Sequence, residues 1–241
     1  GLLASLDMHQ ALDKDDYNGQ RVGEQGRRSG LVRDKRMRKH ALVAAFEGND
    51  AAGKGGAIRR VTAALDPRLY RIVQVVAPTD EESAQPYLWR FWRHIPARGK
   101  FTMFDRSWYG RVLVERVEGF CSPADWLRAY GEINDFEEQL SDAGVVLVKF
   151  WLAIDQDTQL QRFKEREQTP FKRFKITDED WRNREKWDAY ETAVCDMIDR
   201  TSTGGAPWTT VEANSKYFAR IKVLKTVCRA VEGAVKSKKK G

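Results

Sequence analysis

The chain has 241 residues and a formal net charge of +7, from 42 Lys and Arg against 35 Asp and Glu. That length suits one sizeable α/β domain with room for a subdomain, and the excess of cations points to an anionic partner: nucleic acid, acidic membrane or polyphosphate. No run of about 18 apolar residues exists, which argues against a membrane span; the first residues show no basic region followed by an apolar core, so no signal peptide is expected. Cys121, Cys195 and Cys228 are odd in number, far apart and in no metal spacing, which predicts a reducing cytoplasm without disulfides.

Residues 1–39 read as a charged N-terminal extension. Gly19, Gly23, Gly26 and Gly30 argue there against one long stable helix. The cluster Arg33, Lys35, Arg36, Arg38 and Lys39 reads as a solvated flank in preference to an anion-binding approach.

Ala41 to Phe46 is apolar and continuous, the pattern of a strand buried on both faces. Gly48, Gly53 and Lys54 then match G-x-x-x-x-G-K, a phosphate-binding loop. Glycines let the backbone close around an anion with its N–H groups turned inward, and a helix starting near Lys54 adds the positive end of its dipole. The candidate phosphate ligands are Gly48, Asn49, Ala51, Ala52, Gly53, Lys54 and Gly55. The usual Ser or Thr after the lysine, a Mg²⁺ ligand, is here Gly55, so a metal needs another donor, and Asp50 inside the loop is the obvious one.

A helix is expected over Ala57 to Leu65 and a strand over Tyr70 to Val76. A second helix, capped by Thr79 or Asp80, should run to about His94; of its aromatics Tyr87, Trp89, Phe91 and Trp92, most belong to the core, with one open to stacking on a nucleobase. Lys100 to Asp105 is a third strand with an acid at its C-terminal edge, where open parallel sheets bind ligands. Asp105 is thereby a metal-ligand or catalytic candidate, or else a helix N-cap. Arg106 reads as a phosphate ligand or as a structural partner of Glu115 or Glu118, and Arg111 is divided between phosphate contact and a surface ion pair.

Ser122-Pro123-Ala124-Asp125 caps a helix running to about Leu140, Gly144 to Ile154 is a strand, and Asp157 to Glu167 is a charged helix. Thr177 and Asp180 form a capping box for a helix continuing to Arg200. Trp208 to Val211 is a fifth strand and Ser215 to Val231 the closing helix. Lys236, Lys238, Lys239 and Lys240 mark 233–241 as a basic disordered tail. Strands alternate with helices throughout, which gives a three-layer α/β domain over 40–232 with a largely parallel five-stranded sheet. Between two of its helices lie Arg162, Lys164, Arg166, Lys172, Arg173 and Lys175, interrupted by Thr169-Pro170-Phe171. A basic hairpin at that place reads as a lid, spanning about 160–200, that closes over phosphates.

Taken together, Phe-Glu-Gly-Asn-Asp-Ala-Ala-Gly-Lys-Gly-Gly at 46–56, Phe-Asp-Arg-Ser-Trp-Tyr-Gly-Arg at 104–111, the lid run at 164–175 and Asp-Trp-Arg-Asn-Arg-Glu-Lys-Trp at 180–187 resemble the polyphosphate kinase 2 family. Tyr109 to Phe120 looks most like its polyphosphate:AMP phosphotransferase branch; the ADP-phosphorylating branch tends to carry Asn where Gly110 stands. The resemblance implies a P-loop kinase fold with a helical lid, Mg²⁺, inorganic polyphosphate as donor, AMP or ADP as acceptor, and a homo-oligomer, commonly a dimer or tetramer. It places catalysis on Asp50, Lys54, Asp105 and Arg106, metal on Asp50 and Asp105, and phosphate contacts on Arg111, Arg166, Lys172, Arg173 and Lys175. The competing readings are ADP phosphorylation, an ATP-using P-loop kinase and a catalytically decayed polyanion-binding half of a tandem protein. A nucleic-acid module is disfavoured, because the cations cluster near the phosphate loop instead of along an aromatic-lined surface.

Overall fold

The computed structural model describes residues 2–63 and 65–236. After a short 3-10 turn at Leu2–Ser5, α1 spans Lys14–Arg33. This corrects the expectation of a glycine-broken segment. The Asp13 carboxylate caps α1 by accepting from Asp16 N at 2.8 Å. A Cβ at any of its four glycines would meet nothing within 4 Å, so they serve no close approach. Packing outweighs their low propensity: Tyr17 stacks on Tyr217 with ring centroids 4.5 Å apart, and Arg28 is 1% exposed.

Strand β1 (Ala41–Gly48) leads into α2 (Lys54–Thr62), β2 (Tyr70–Gln74) follows, and then two single turns, α3 (Asp80–Ser83) and α4 (Trp89–Trp92). One continuous helix was expected there. The Thr79–Glu82 capping box forms, but Pro86 lacks an N–H and disfavours helical backbone at Gln85, which splits the segment. Strand β3 (Phe101–Asp105) is followed by a 3-10 turn at Trp108–Val112 and α5 (Val114–Glu118). Next come α6 (Pro123–Asp142), with the expected Ser122–Asp125 box, and β4 (Val145–Ala153).

The stretch expected to form a lid holds most of α7 (Gln156–Gln168), a 3-10 turn at Pro170–Lys175, α8 (Asp178–Glu185) and most of α9 (Trp187–Thr201). The helix expected to run unbroken from Thr177 is interrupted at Lys186, whose backbone leaves helical geometry at φ −98°, ψ 26°. Strand β5 (Trp208–Glu212) and α10 (Lys216–Lys236) complete the chain. Residues 233–236 of the expected disordered tail are helical, with Val235 buried and Lys236 paired to Glu232 at 2.7 Å; 237–241 lie outside the described residues.

The strands form one sheet in the order β2-β3-β1-β4-β5, with all four pairings parallel. Alternation along β1 and β4 sends side chains into two cores. Phe46, Phe150 and Leu152 face the α1, α2 and α10 layer; Ala45, Leu147 and Trp151 face the α6 and α9 layer. The sheet is thus the middle of three layers. Its centre, β1, turns into the glycine loop at its C-terminal edge. No helix among the described residues is long and apolar enough to cross a membrane.

Candidate active site

Gly48 is fixed by space. A Cβ there would lie 2.5 Å from the Leu152 carbonyl oxygen, so only glycine lets β1 pass β4 at this point. Ala51 (φ 64°) and Gly53 (φ 100°) take left-handed backbone and curl the chain into a concave loop. Its carbonyls are gripped from outside. Lys54 Nζ donates to Gly48 O (3.1 Å) and Asn49 O (3.4 Å), Gln159 Nε2 to Asp50 O (3.1 Å), and Arg162 to Ala51 O (2.9 Å). With the carbonyls held, the N–H groups of Asp50, Ala51 and Gly53 have no partner among the described residues, as is expected of those of the first turn of α2 by helix geometry. Asn49 N–H donates to Leu152 O and Ala52 N–H to Asn49 O, so these two amides serve the loop's own shape. A Cβ at Gly55 would meet nothing within 4 Å; the missing hydroxyl is a matter of chemistry, not of space.

Arg162 was expected among the lid cations. Instead it is buried and donates to Ala51, Ala213 and Asn214 carbonyls, tying α7 and the β5–α10 link to the phosphate loop. Burial pulls its pKa below the usual arginine value.

Asp50 and Arg106 meet. Arg106 Nη2 lies 3.3 Å from Asp50 Oδ1, and Asn183 of α8 donates to Asp50 Oδ2 at 2.8 Å. Arg106 Nη1 reaches Glu179, one turn earlier on α8, at 3.4 Å, and not Glu115 or Glu118. Burial pulls the arginine down, but Asp50, Glu47 and Glu179 outweigh it and leave the pKa raised. Arg106 has φ 61°, a backbone that non-glycine residues seldom adopt. The corner is pinned by its N–H to Phe46 O at 3.0 Å and by Ser107 Oγ, which donates to Glu47 Oε1 at 2.8 Å.

Glu47 is 5% exposed. Burial pushes its carboxyl up to about 7, against the Ser107 hydrogen bond and the charges of Lys54 and Arg106. Glu47, Asp50, Arg106, Gly110 and Asn183 share one cleft, with Trp151, Trp187 and Tyr190 as its apolar side. Tyr87, Trp89, Phe91 and Trp92 do not line it; Tyr87 lies under Arg111 and Trp92 packs on Phe136.

Asp105 ends β3 in register with Phe46 and is not among the residues lining the cleft. Among the described residues its carboxylate has no hydrogen-bond or ion-pair partner. Arg111 pairs with Glu115 at 3.0 Å and stacks over Tyr87 at 4.1 Å, the ion-pair side of the expectation. Arg166 donates to Lys175 O and Arg173 to Glu167 O, closing the hairpin on itself. Lys172 and Lys175 lie over exposed Phe171 and Phe174. Glu47, Gln159, Glu179 and Asn183 were not foreseen as site residues, and Arg162 was foreseen only as a lid cation. Asn183 and Glu47 sit inside the family-like runs, which is the signal that was available; Gln159 and Arg162 act on backbone carbonyls, which no motif announces.

The arrangement provides loop amides and Lys54 for phosphate, carboxylates beside it, and an arginine held over the same cleft. A polyphosphate:AMP phosphotransferase of Pseudomonas aeruginosa is 73% identical over 239 residues, 99% of this chain and 48% of that protein. One of Acinetobacter johnsonii is 56% identical over 191 residues, 79% of this chain and 40% of that protein. The chain therefore spans about half the length of these relatives or less. The crystal structure of polyphosphate kinase 2 from Arthrobacter aurescens TC1 matches with a TM-score of 0.91 at 35% identity, covering 96% of this chain and 85% of that one. The polyphosphate kinase 2 family model matches residues 11–239, and the chain belongs to that family.

Proposed function

We propose that this chain transfers a phosphoryl group reversibly between inorganic polyphosphate and AMP, giving ADP. The observation that carries the reading is the meeting of Asp50, Arg106 and Asn183 at the lip of a phosphate loop, in a chain 73% identical to a polyphosphate:AMP phosphotransferase. Two polyanions must approach each other, so the work is mainly electrostatic positioning. The loop amides and Lys54 cradle phosphate. Arg106 turns its guanidinium from Asp50 and Glu179 onto the transferring group. Asp50 orients the acceptor phosphate, and α8, seated through Asn183 and Glu179, excludes water.

Asp50 and Asp105 would offer hard carboxylate oxygens to Mg²⁺, and the Asp105 carboxylate has no other partner among the described residues. No group of three or more His, Cys, Asp or Glu side chains gathers among the described residues, which suits an ion that takes most of its coordination from phosphates and water. Held there, Mg²⁺ would neutralise phosphate oxygens of both substrates. A homo-oligomer, dimer or tetramer, working in the cytoplasm belongs to the same proposal. Chromatographic product analysis with polyphosphate and Mg²⁺, offering AMP and ADP separately, tests it. ADP from AMP, with little ATP from ADP, is expected; ATP from ADP as the main product would move the chain to another acceptor.

A further inference from the structure

Helix α8 carries Asn183 to the Asp50 carboxylate, yet none of its residues is buried. Packing does not fix the Asn183 side chain, so polar contacts must. The Tyr190 hydroxyl, on the first turn of α9, donates to Asn183 Oδ1 at 3.0 Å, and Asn183 Nδ2 donates to Asp50 Oδ2 at 2.8 Å. Of the two helices α9 is the anchored one. Its Val194, Met197 and Ile198 are buried in the core of that layer. At the joint before it, Tyr190 N–H donates to the Lys186 carbonyl at 3.0 Å, and Lys186 pairs with Glu118 of α5 at 2.8 Å.

The direction of these hydrogen bonds follows from the groups themselves. Asp50 accepts on both oxygens, from Arg106 on Oδ1 and from Asn183 on Oδ2. A carboxylate has no hydrogen to offer, so the amide turns its NH₂ to Asp50 and its oxygen away. That oxygen needs a donor, and the phenol keeps its proton: burial, and after it the charges of Glu118, Asp50 and Glu179, push its pKa up. The two hydrogen bonds run the same way and polarise each other. The Tyr190 ring borders both the catalytic cleft and a second cavity, walled in part by Leu3, Met8 and Val194, so its hydroxyl does more than its packing to seat it.

We infer that Tyr190 is a positioning residue that acts on Asp50 through Asn183. This deepens the proposed reaction and rests on Asp50 orienting the acceptor phosphate. When Arg106 turns to the transferring group, Asn183 is the side-chain donor that stays on Asp50. A neutral donor fixes the direction of the carboxylate without cancelling its charge, and Tyr190 fixes the donor.

The test is a double-mutant cycle of Tyr190→Phe and Asn183→Ala, read as ADP formation from AMP and polyphosphate. Tyr190→Phe keeps the ring and should lower kcat about tenfold, with the KM for polyphosphate within about twofold and Tm lower by less than about 3 °C. Asn183→Ala should cost at least as much, and the double variant should be no slower than Asn183→Ala alone. Losses that multiply in the double variant, or a kcat for folded Tyr190→Phe within about twofold of the unaltered chain, would overturn the inference. The side-chain NH₂ signals of Asn183 in the substrate-free protein, assigned by their absence in Asn183→Ala, read the same contact without turnover. They should move toward the position of a free amide in Tyr190→Phe; unchanged signals would overturn the inference as well. Signals that move in a chain that makes no ADP would sink the proposed reaction and leave the Tyr190–Asn183–Asp50 link standing.

Discussion

Arg106 carries the sharpest conflict between local preference and position. Its left-handed backbone costs on the order of 1–3 kcal/mol, and it is held by its own N–H donating to the Phe46 carbonyl and by the Ser107 hydroxyl donating to Glu47. The side chain so presented is 41% exposed, while Asp50 beneath it is 11% exposed, so the guanidinium faces incoming phosphate. Arg106→Ala should lower kcat for transfer by about 10³-fold or more with little change in Tm, measured by single-turnover kinetics and thermal melts; a loss under tenfold would assign Arg106 a structural role only. Glu47 behind it makes a pH prediction. Its folded pKa of about 7 exceeds the ordinary 4.5, so between those values the folded chain holds a proton that the unfolded chain has released. Stability from this group is therefore full below about pH 4.5, falls as pH rises through that window, and levels off above about 7. Glu47→Gln should flatten that slope in urea melts; an unchanged slope would mean that the carboxyl titrates normally.

At the scale of elements, β1, the glycine loop, β3 and β4 were legible in the sequence because each strand is a mostly apolar run and the loop after β1 carries its glycines. What the sequence hid was tertiary in origin. The four glycines of α1 read as breaks, but contact with α10 stabilises a helix that propensity alone would not. Pro86 and Lys186 divide helices at points that periodicity passes over. The Asp50–Arg106 pairing joins residues 56 positions apart, and Asn183 reaches the same carboxylate from 133 positions away; only the fold supplies those distances. Helix α1 also ties the far end of α2, where Arg28 donates to the Arg60 carbonyl at 2.9 Å and to the Val61 carbonyl. A cation at a helix C-terminus complements its dipole. Arg28→Met, which leaves those carbonyls unpaired, should destabilise the protein by about 2 kcal/mol, read from urea denaturation; a change below about 0.5 kcal/mol would show that α1 is no brace for α2.

Across the whole molecule, a buried ion pair fastens the layers behind the site. Lys149 of β4 is fully buried and donates to Glu137 of α6 (2.8 Å), Tyr109 (2.8 Å) and the Thr201 carbonyl of α9 (2.7 Å). Glu137 also accepts from Trp108 and Tyr109, directly after the Arg106 corner. Burial lowers the lysine and raises the glutamate, and each is opposed by the other's charge. Removing one partner strands the other, so Lys149→Met should cost about 3–5 kcal/mol; a loss under about 1 kcal/mol in equilibrium unfolding would contradict that. The network links sheet, α6 and α9 to the segment that presents Arg106, which connects the stability of the molecule to the geometry of its cleft. The central claim is that phosphoryl transfer from polyphosphate to AMP takes place in this cleft, with Asp50 orienting the acceptor phosphate. It is tested most directly by following ADP formation from AMP, polyphosphate and Mg²⁺ with the unaltered chain and with Asp50→Asn at matched folding. The account predicts ADP from the unaltered chain and at least about a 10³-fold slower rate in the variant; ADP formation by folded Asp50→Asn within tenfold of the unaltered rate would contradict it.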